Sequence, residues 1–268
     1  MEKQPPSTFI LIGALAGDII GSVHEYTRRK SKEFPLFQPS SFFTDDSVLT
    51  LAVADAILNG RDYAETIREY GRRYPDAGYG GMFRRWLQTD MGPYNSFGNG
   101  SAMRVSAVGW AFEGEEEVLR QAEACAAVTH NHPEGIKGAQ AVALAIYLAR
   151  TGSSKEAIKQ EITARFAYDL ERKLDDIRPT YEWSEICQTS VPESMIAFLE
   201  AEDFEAAVRN AISLGGDADT MAAIAGAIAE AYYGVPQLIA DEVRQRLSAA
   251  LWGVVEEFSA RFHTAESE

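Results

Sequence analysis

Leu214-Gly215-Gly216-Asp217-Ala218-Asp219-Thr220 runs without a break into the apolar, small-residue segment Met221 to Tyr233. The second segment, rich in Ala and Ile, has helical character and suits the middle of a helical core. The first places two carboxylates and a hydroxyl within four residues, directly after a Gly-Gly pair. On a continuous helix the i, i+2 spacing would send Asp217 and Asp219 to different sides, so they converge only if the backbone turns first, which Gly215 and Gly216 permit. Oxygen ligands of this kind bind a hard cation such as Mg²⁺, Mn²⁺ or Ca²⁺. The plainer alternative is that Asp219 or Thr220 only caps the helix that follows.

A second cluster lies far upstream at Phe43-Thr44-Asp45-Asp46-Ser47, again a hydroxyl and two carboxylates at the start of an apolar periodic segment. Either cluster alone could be a cap. Together they supply four carboxylates, which would repel one another strongly if crowded without a cation between them. A two-metal site, with ions about 3.5–4 Å apart, needs about this ligand supply.

The rest of the chain reads as helices. Phe9 to about Tyr26 forms the first, with Gly13, Gly17 and Gly21 on one face as a stripe for close helix packing. Asp18 and Glu25 lie seven residues apart, nearly on one side, and Glu25 falls at the helix end, where it faces either a cleft or solvent. Thr27 to Ser41 is a loop, and Ser47 to Leu58 a mostly buried helix stopped by Asn59-Gly60. Asp62 to Arg73 is an exposed amphipathic helix. An irregular region rich in Gly, Pro, Asn and aromatics follows, on either side of a short Met82 to Leu87 segment.

Within it, Phe97-Gly98-Asn99-Gly100-Ser101-Ala102-Met103-Arg104 exposes backbone amides before an apolar run to Phe112, either a seat for phosphate or ribose oxygens or a plain helix-entry turn. A helix over Glu115 to Thr129 ends at Thr129-His130-Asn131-His132-Pro133, where the two histidines are structural or contact a pocket, and Pro133 opens the next helix, to Arg150. Helices are expected over Lys155 to Leu174, Pro192 to Glu200 and Phe204 to Ser213, with Thr180 to Ser190 as a connecting segment. After Pro236 come one or two closing helices and a polar, frayed tail from His263. No segment alternates with period two and no internal repeat is evident, so the fold reads as all-α, a single domain over 1–268 with its core at about 10–235.

Composition narrows the function. With 46% apolar residues, 268 residues can bury a substantial core. A net charge of −15 argues against non-specific binding to nucleic acid or anionic membranes. Cys125 and Cys187 form no CxxC or Cys/His cluster, so neither a disulfide framework nor a zinc site is indicated, and a reducing cytoplasm fits best. The N-terminus lacks the profile of a signal peptide, and the Met221 to Val235 stretch is too short and too polar, with Glu230, to span a membrane.

Five blocks in order, Gly13-Ala14-Leu15-Ala16-Gly17-Asp18 through Glu25, Phe43 to Ser47, Gly98 to Arg104, Thr129 to Pro133 and Leu214 to Thr220, resemble the ADP-ribosylglycohydrolase family over about residues 10–235. The resemblance implies a compact all-α domain with a binuclear Mg²⁺ or Mn²⁺ cleft, its metal ligands being Thr44, Asp45, Asp46, Asp217, Asp219 and Thr220. It implies an enzyme that removes ADP-ribose from modified protein side chains by cleaving the bond at ribose C1″, with Asp45 and Asp219 at the reacting centre, Glu25 near the scissile bond and Asp18 behind the ligands. Asn99, Gly100 and Ser101 would receive the diphosphate and distal ribose, and His130 would line the ribose side. The expected partner is an ADP-ribosylated protein, and a monomer is favoured. The alternatives are hydrolysis of a small ribosyl or ADP-ribosyl metabolite, or ADP-ribose binding without turnover. Leaving-group specificity is expected in the loops Thr27 to Ser41 and Tyr74 to Phe97, whose Tyr79, Trp86, Tyr94 and Phe97 could stack on adenine or a guanidinium.

Overall fold

The computed structural model describes residues 6–263, and the tail expected after His263 lies outside them. Among the described residues there are fifteen helices and no strand, only the isolated bridges Pro6↔Pro236 and Gly98↔Ile186. The helices are α1 (Ile12–Gly21), α2 (Asp45–Asn59), α3 (Tyr63–Arg73), α4 (Gly81–Gln88) and α5 (Gly100–Met103). Then come α6 (Ser106–Ala111), α7 (Glu115–Ala127), α8 (Pro133–Arg150), α9 (Lys155–Phe166) and α10 (Leu174–Ile177). The last are α11 (Cys187–Leu199), α12 (Phe204–Ile212), α13 (Ala218–Tyr233), α14 (Gln237–Arg246) and α15 (Ala249–Phe262).

One hydrophobic core joins them, and α13 runs through it, buried from Ala218 to Glu230. Its small residues are what α1 packs against. A methyl group added at Gly13 would strike the carbonyl of Gly226, at Gly17 the carbonyl of Ala222, and at Gly21 the backbone of Asp219. The glycine stripe therefore serves backbone-to-backbone packing and lays the end of α1 against the Asp217–Thr220 turn. α2 reaches the same place from the other side. Thr44 caps it by accepting from the Asp46 amide, and the Asp45 amide donates to the carbonyl of Ala77 (2.7 Å).

Several boundaries differ from the sequence reading. The first helix does not extend from Phe9 to Tyr26. Leu11 has φ 72°, and beyond Gly21 the chain is carried by turns in which His24 N–H donates to Gly21 O and Thr27 N–H to His24 O. Gly21 is wedged against Asp219 where the helix ends, and Glu25 sits in a turn instead of on a helix. α9 stops at Phe166, not Leu174, with Ala167 in the left-handed region at φ 54°. α11 begins at Cys187 inside the expected connecting segment and continues through Pro192. No helix among the described residues is long and apolar enough to cross a membrane, and Cys125 and Cys187 are both free and buried.

Candidate metal centre

The two acidic clusters meet at the packed helix ends. One carboxylate oxygen from each of Asp18, Asp46 and Asp219 lies within 4.8 Å of the others, and the same holds for Glu25, Asp217 and Asp219. Asp219 belongs to both groups. Thr220 Oγ1 donates to Asp46 Oδ2 (3.3 Å), which ties the start of α13 to the start of α2. Asn99 Nδ2 donates to Asp217 Oδ2 (2.8 Å), which fixes that side chain from α5's leading turn.

Asp18 is the fastener beneath the cluster. It is fully buried and accepts from the Thr44 amide (2.9 Å), the Thr44 hydroxyl (2.7 Å), the Ser47 amide (3.0 Å) and the Ser47 hydroxyl. A carboxylate receiving two amides at the first turn of α2 is favoured by the helix dipole as well as by the bonds. Ser47 has no part in the sequence reading beyond its place in the motif, yet its hydroxyl and amide hold Asp18 in place. Asp45 stands apart, half-buried and in neither group of three.

The electrostatics are those of carboxylates lacking a counter-charge. Burial, followed by mutual repulsion, pushes Asp46 and Asp219 well above the usual carboxylate range, and burial raises Asp18 and Asp217 despite their hydrogen bonds. Asp45 is raised to about 7 by burial and then by the charge of Asp18. Among the described residues no Lys or Arg forms an ion pair with any of these side chains. Asp46 Oδ1 is buried with no hydrogen-bond partner. A hard divalent cation fits this set, because it would satisfy that oxygen and offset the repulsion together.

Glu25 borders a cavity of about 280 Å³ with Tyr26, Arg28 and Trp183. Its carboxyl is raised, first by burial, then by the charge of Asp217 against the opposing bond from Tyr26. Trp183 also lines a larger cavity of about 670 Å³ beside Tyr181, Ser184 and Thr189. The 180–186 segment, read from sequence as a connector, therefore forms one wall of the cleft. Tyr181 packs on Gly216, and Glu185 O accepts from the Asn99 amide (2.8 Å). A tryptophan between glutamates in a stretch without periodicity was the signal available for it.

Other expected contacts are redistributed. Ser101 is fully buried and its hydroxyl donates to Gly135 O (2.7 Å), so that hydroxyl is engaged in helix packing. The Asn99 side chain spends one of its amide hydrogens on Asp217. Gly100 keeps its place beside His130, whose Nε2 would lie 3.2 Å from a Cβ there. His132 caps α8 by accepting from the Glu134 amide (3.1 Å). Tyr79 and Trp86 are core residues packed about Phe83, so they cannot stack on a substrate, whereas Phe97 is exposed beside His132.

The family model described as ADP-ribosylglycohydrolase matches residues 9–268. The chain is 27% identical to ADP-ribosylhydrolase ARH3 of Homo sapiens, covering 85% of each chain, and 26% identical to that of Gallus gallus, covering 88% of each. It is 24% identical to ADP-ribosylarginine hydrolase Tri1 of Pseudomonas putida, over 84% of this chain and 70% of the relative. A solved structure titled "ADP-ribosylglycohydrolase-related protein complex" superposes with a TM-score of 0.71 at 24% identity, covering 95% of this chain and 96% of the other. At that identity the superposition speaks for the fold.

Proposed function

Since the chain belongs to the ADP-ribosylglycohydrolase family, we propose that it is a metal-dependent hydrolase that releases ADP-ribose from modified protein side chains by cleaving the bond at ribose C1″. The observation that carries this reading is the pair of carboxylate groups sharing Asp219, with the orphaned Oδ1 of Asp46 between α2 and α13. Thr44, Asp45, Asp46, Asp217, Asp219 and Thr220 are the residues assigned to two divalent cations, Mg²⁺ or Mn²⁺, with Asp18 holding Thr44 and Ser47 in place. When bound, such cations supply Lewis acidity and a template for ribose hydroxyls and water.

The chain's own groups do the rest. Glu25, on the cavity wall, is placed to exchange a proton at the scissile bond or to stabilise positive charge developing at C1″. Asn99 keeps Asp217 oriented, and Thr220 keeps Asp46 oriented, so neither carboxylate has to be ordered during turnover. The modified side chain enters past Tyr26, Arg28 and Trp183, which makes this wall, more than the core residues Tyr79 and Trp86, the place where the leaving group is sensed. The whole chain, 1–268, acts as one catalytic unit in this reading.

The test is release of ADP-ribose from ADP-ribosylated arginine and serine peptides, with and without Mg²⁺, for wild type and Asp219→Ala. Metal-dependent release that the substitution abolishes is expected. Equal release by both proteins, or release indifferent to chelator, would remove the assignment.

A further inference from the structure

Arg104 closes the Gly98–Arg104 block and is fully buried. No carboxylate partners it among the described residues. Its Nη2 donates to Cys125 O (3.0 Å) and to Thr129 Oγ1 (2.9 Å), while Nε and Nη1 have no partner. A buried guanidinium so poorly matched is costly, and the metal-centre assignment makes no use of it.

Thr129 Oγ1 lies 2.7 Å from His130 Nδ1. A guanidinium donates and never accepts, so the hydroxyl must take the Arg104 hydrogen on a lone pair. The hydroxyl's own hydrogen then points away from the cation, where Nδ1 is the acceptor within reach. That assignment makes Nδ1 the unprotonated nitrogen and places the imidazole hydrogen on Nε2. Nε2 has no protein partner among the described residues, and it faces the turn where Cβ atoms at Gly98 and Gly100 would come within 3.6 and 3.2 Å of it. Burial, and next the Arg104 charge, push the imidazole pKa well down, so the ring stays neutral and the choice of tautomer is what matters.

We propose that Arg104 is a positioning residue: acting through the Thr129 hydroxyl, it locks His130 with Nε2–H aimed at the Gly98–Gly100 turn, ready to donate to an anionic oxygen of the ligand. The identity of that oxygen, one belonging to the diphosphate of an ADP-ribosyl group, rests on the function proposed above; the tautomer does not. A chain of donors running out from a buried cation is polarised along its length, so the final N–H is a stronger donor than an isolated imidazole. It also brings positive potential to a ligand-binding region in a protein of net charge −15 without placing a cation among the carboxylates.

Nitrogen-15 NMR of histidine-labelled protein reads the tautomer directly, with no ligand and no catalysis. Wild-type His130 is expected to show an unprotonated Nδ1 and a protonated Nε2; a proton on Nδ1 overturns the proposal. On addition of ADP-ribose the Nε2–H resonance is expected to shift and become protected from exchange. Calorimetry should then show Thr129→Val weakening ADP-ribose binding about tenfold, with Thr129→Ser close to wild type. ADP-ribose that binds without moving the His130 resonances, or that binds both variants as well as wild type, overturns the relay. The expected tautomer in a protein that binds no ADP-ribose supports the Arg104 relay and instead removes the ADP-ribosyl reading.

Discussion

Asp46 shows how the centre trades stability for readiness to bind. Its Oδ1 is buried and unpartnered, and its neighbours Asp18, Asp45 and Asp217 all raise its pKa by repulsion after burial. Asp46→Asn removes one charge from this crowd at nearly constant volume. We expect the metal-free variant to be more stable than wild type by about 1 kcal/mol or more, as the relief of each pKa unit is worth about 1.4 kcal/mol. The same variant should lose most of the thermal upshift that Mg²⁺ gives wild type, a shift corresponding to about 2.7 kcal/mol at a hundredfold excess over Kd. Calorimetric scans with and without Mg²⁺ check both halves; a metal-free variant less stable than wild type would show that carboxylate repulsion does not limit the stability of the metal-free centre. Ser47→Ala acts differently, removing only a support of Asp18, and should lower stability and activity together.

At the scale of elements, everything depends on α1 lying flat on α13. Gly17→Ala drives a methyl group into the Ala222 carbonyl, which is backbone and cannot swing aside. A loss of about 3 kcal/mol in urea unfolding is expected, against about 1 kcal/mol for Gly60→Ala, where φ is 61° but the space is open. At the far end of the same contact Glu230 is buried on α13, facing the Leu11, Ile12 and Gly13 amides at the start of α1, with neither oxygen closing a hydrogen bond. Burial raises its pKa from 4.5 to about 8, so between those values the folded protein keeps a proton that the unfolded chain has lost. Stability from this group is therefore greatest below its unfolded pKa and falls as pH rises toward its folded one, by up to about 1.4 kcal/mol per pH unit. Glu230→Gln should flatten the fall in unfolding free energy measured from about pH 5 to about pH 8; an unchanged slope would assign it to other groups.

For the whole molecule the net charge of −15 and the unneutralised carboxylates act in the same direction. The surface ion pairs, such as Arg120 with Glu117 and Arg178 with Asp175, are exposed on at least one side and contribute little. Raising NaCl from about 0.02 M to about 0.5 M should raise the melting temperature of the metal-free protein by screening self-repulsion. A fall instead would show that the attractive surface pairs dominate.

The start of α2 at Asp45, capped by Thr44, lies two residues before the Ser47 start read from sequence, whereas the all-α class, the glycine stripe with its packing purpose, the Pro133 helix start and both acidic clusters were legible along the chain. These are local matters, because period, capping and turn chemistry depend on neighbours a few residues apart, and two short acidic motifs remain recognisable at any separation. Long-range packing alone reveals that the partners of Asp18 are Thr44 and Ser47 at the start of α2, that Ser101 turns inward to Gly135, that Tyr79 and Trp86 belong to the core, and that Trp183 walls the cleft. Each of these depends on which face of one element meets another far away in the chain. An aromatic or hydroxyl side chain looks the same in sequence whether it lines a pocket or fills a core, and only the packing of α1, α2, α11 and α13 around one turn settles where it points.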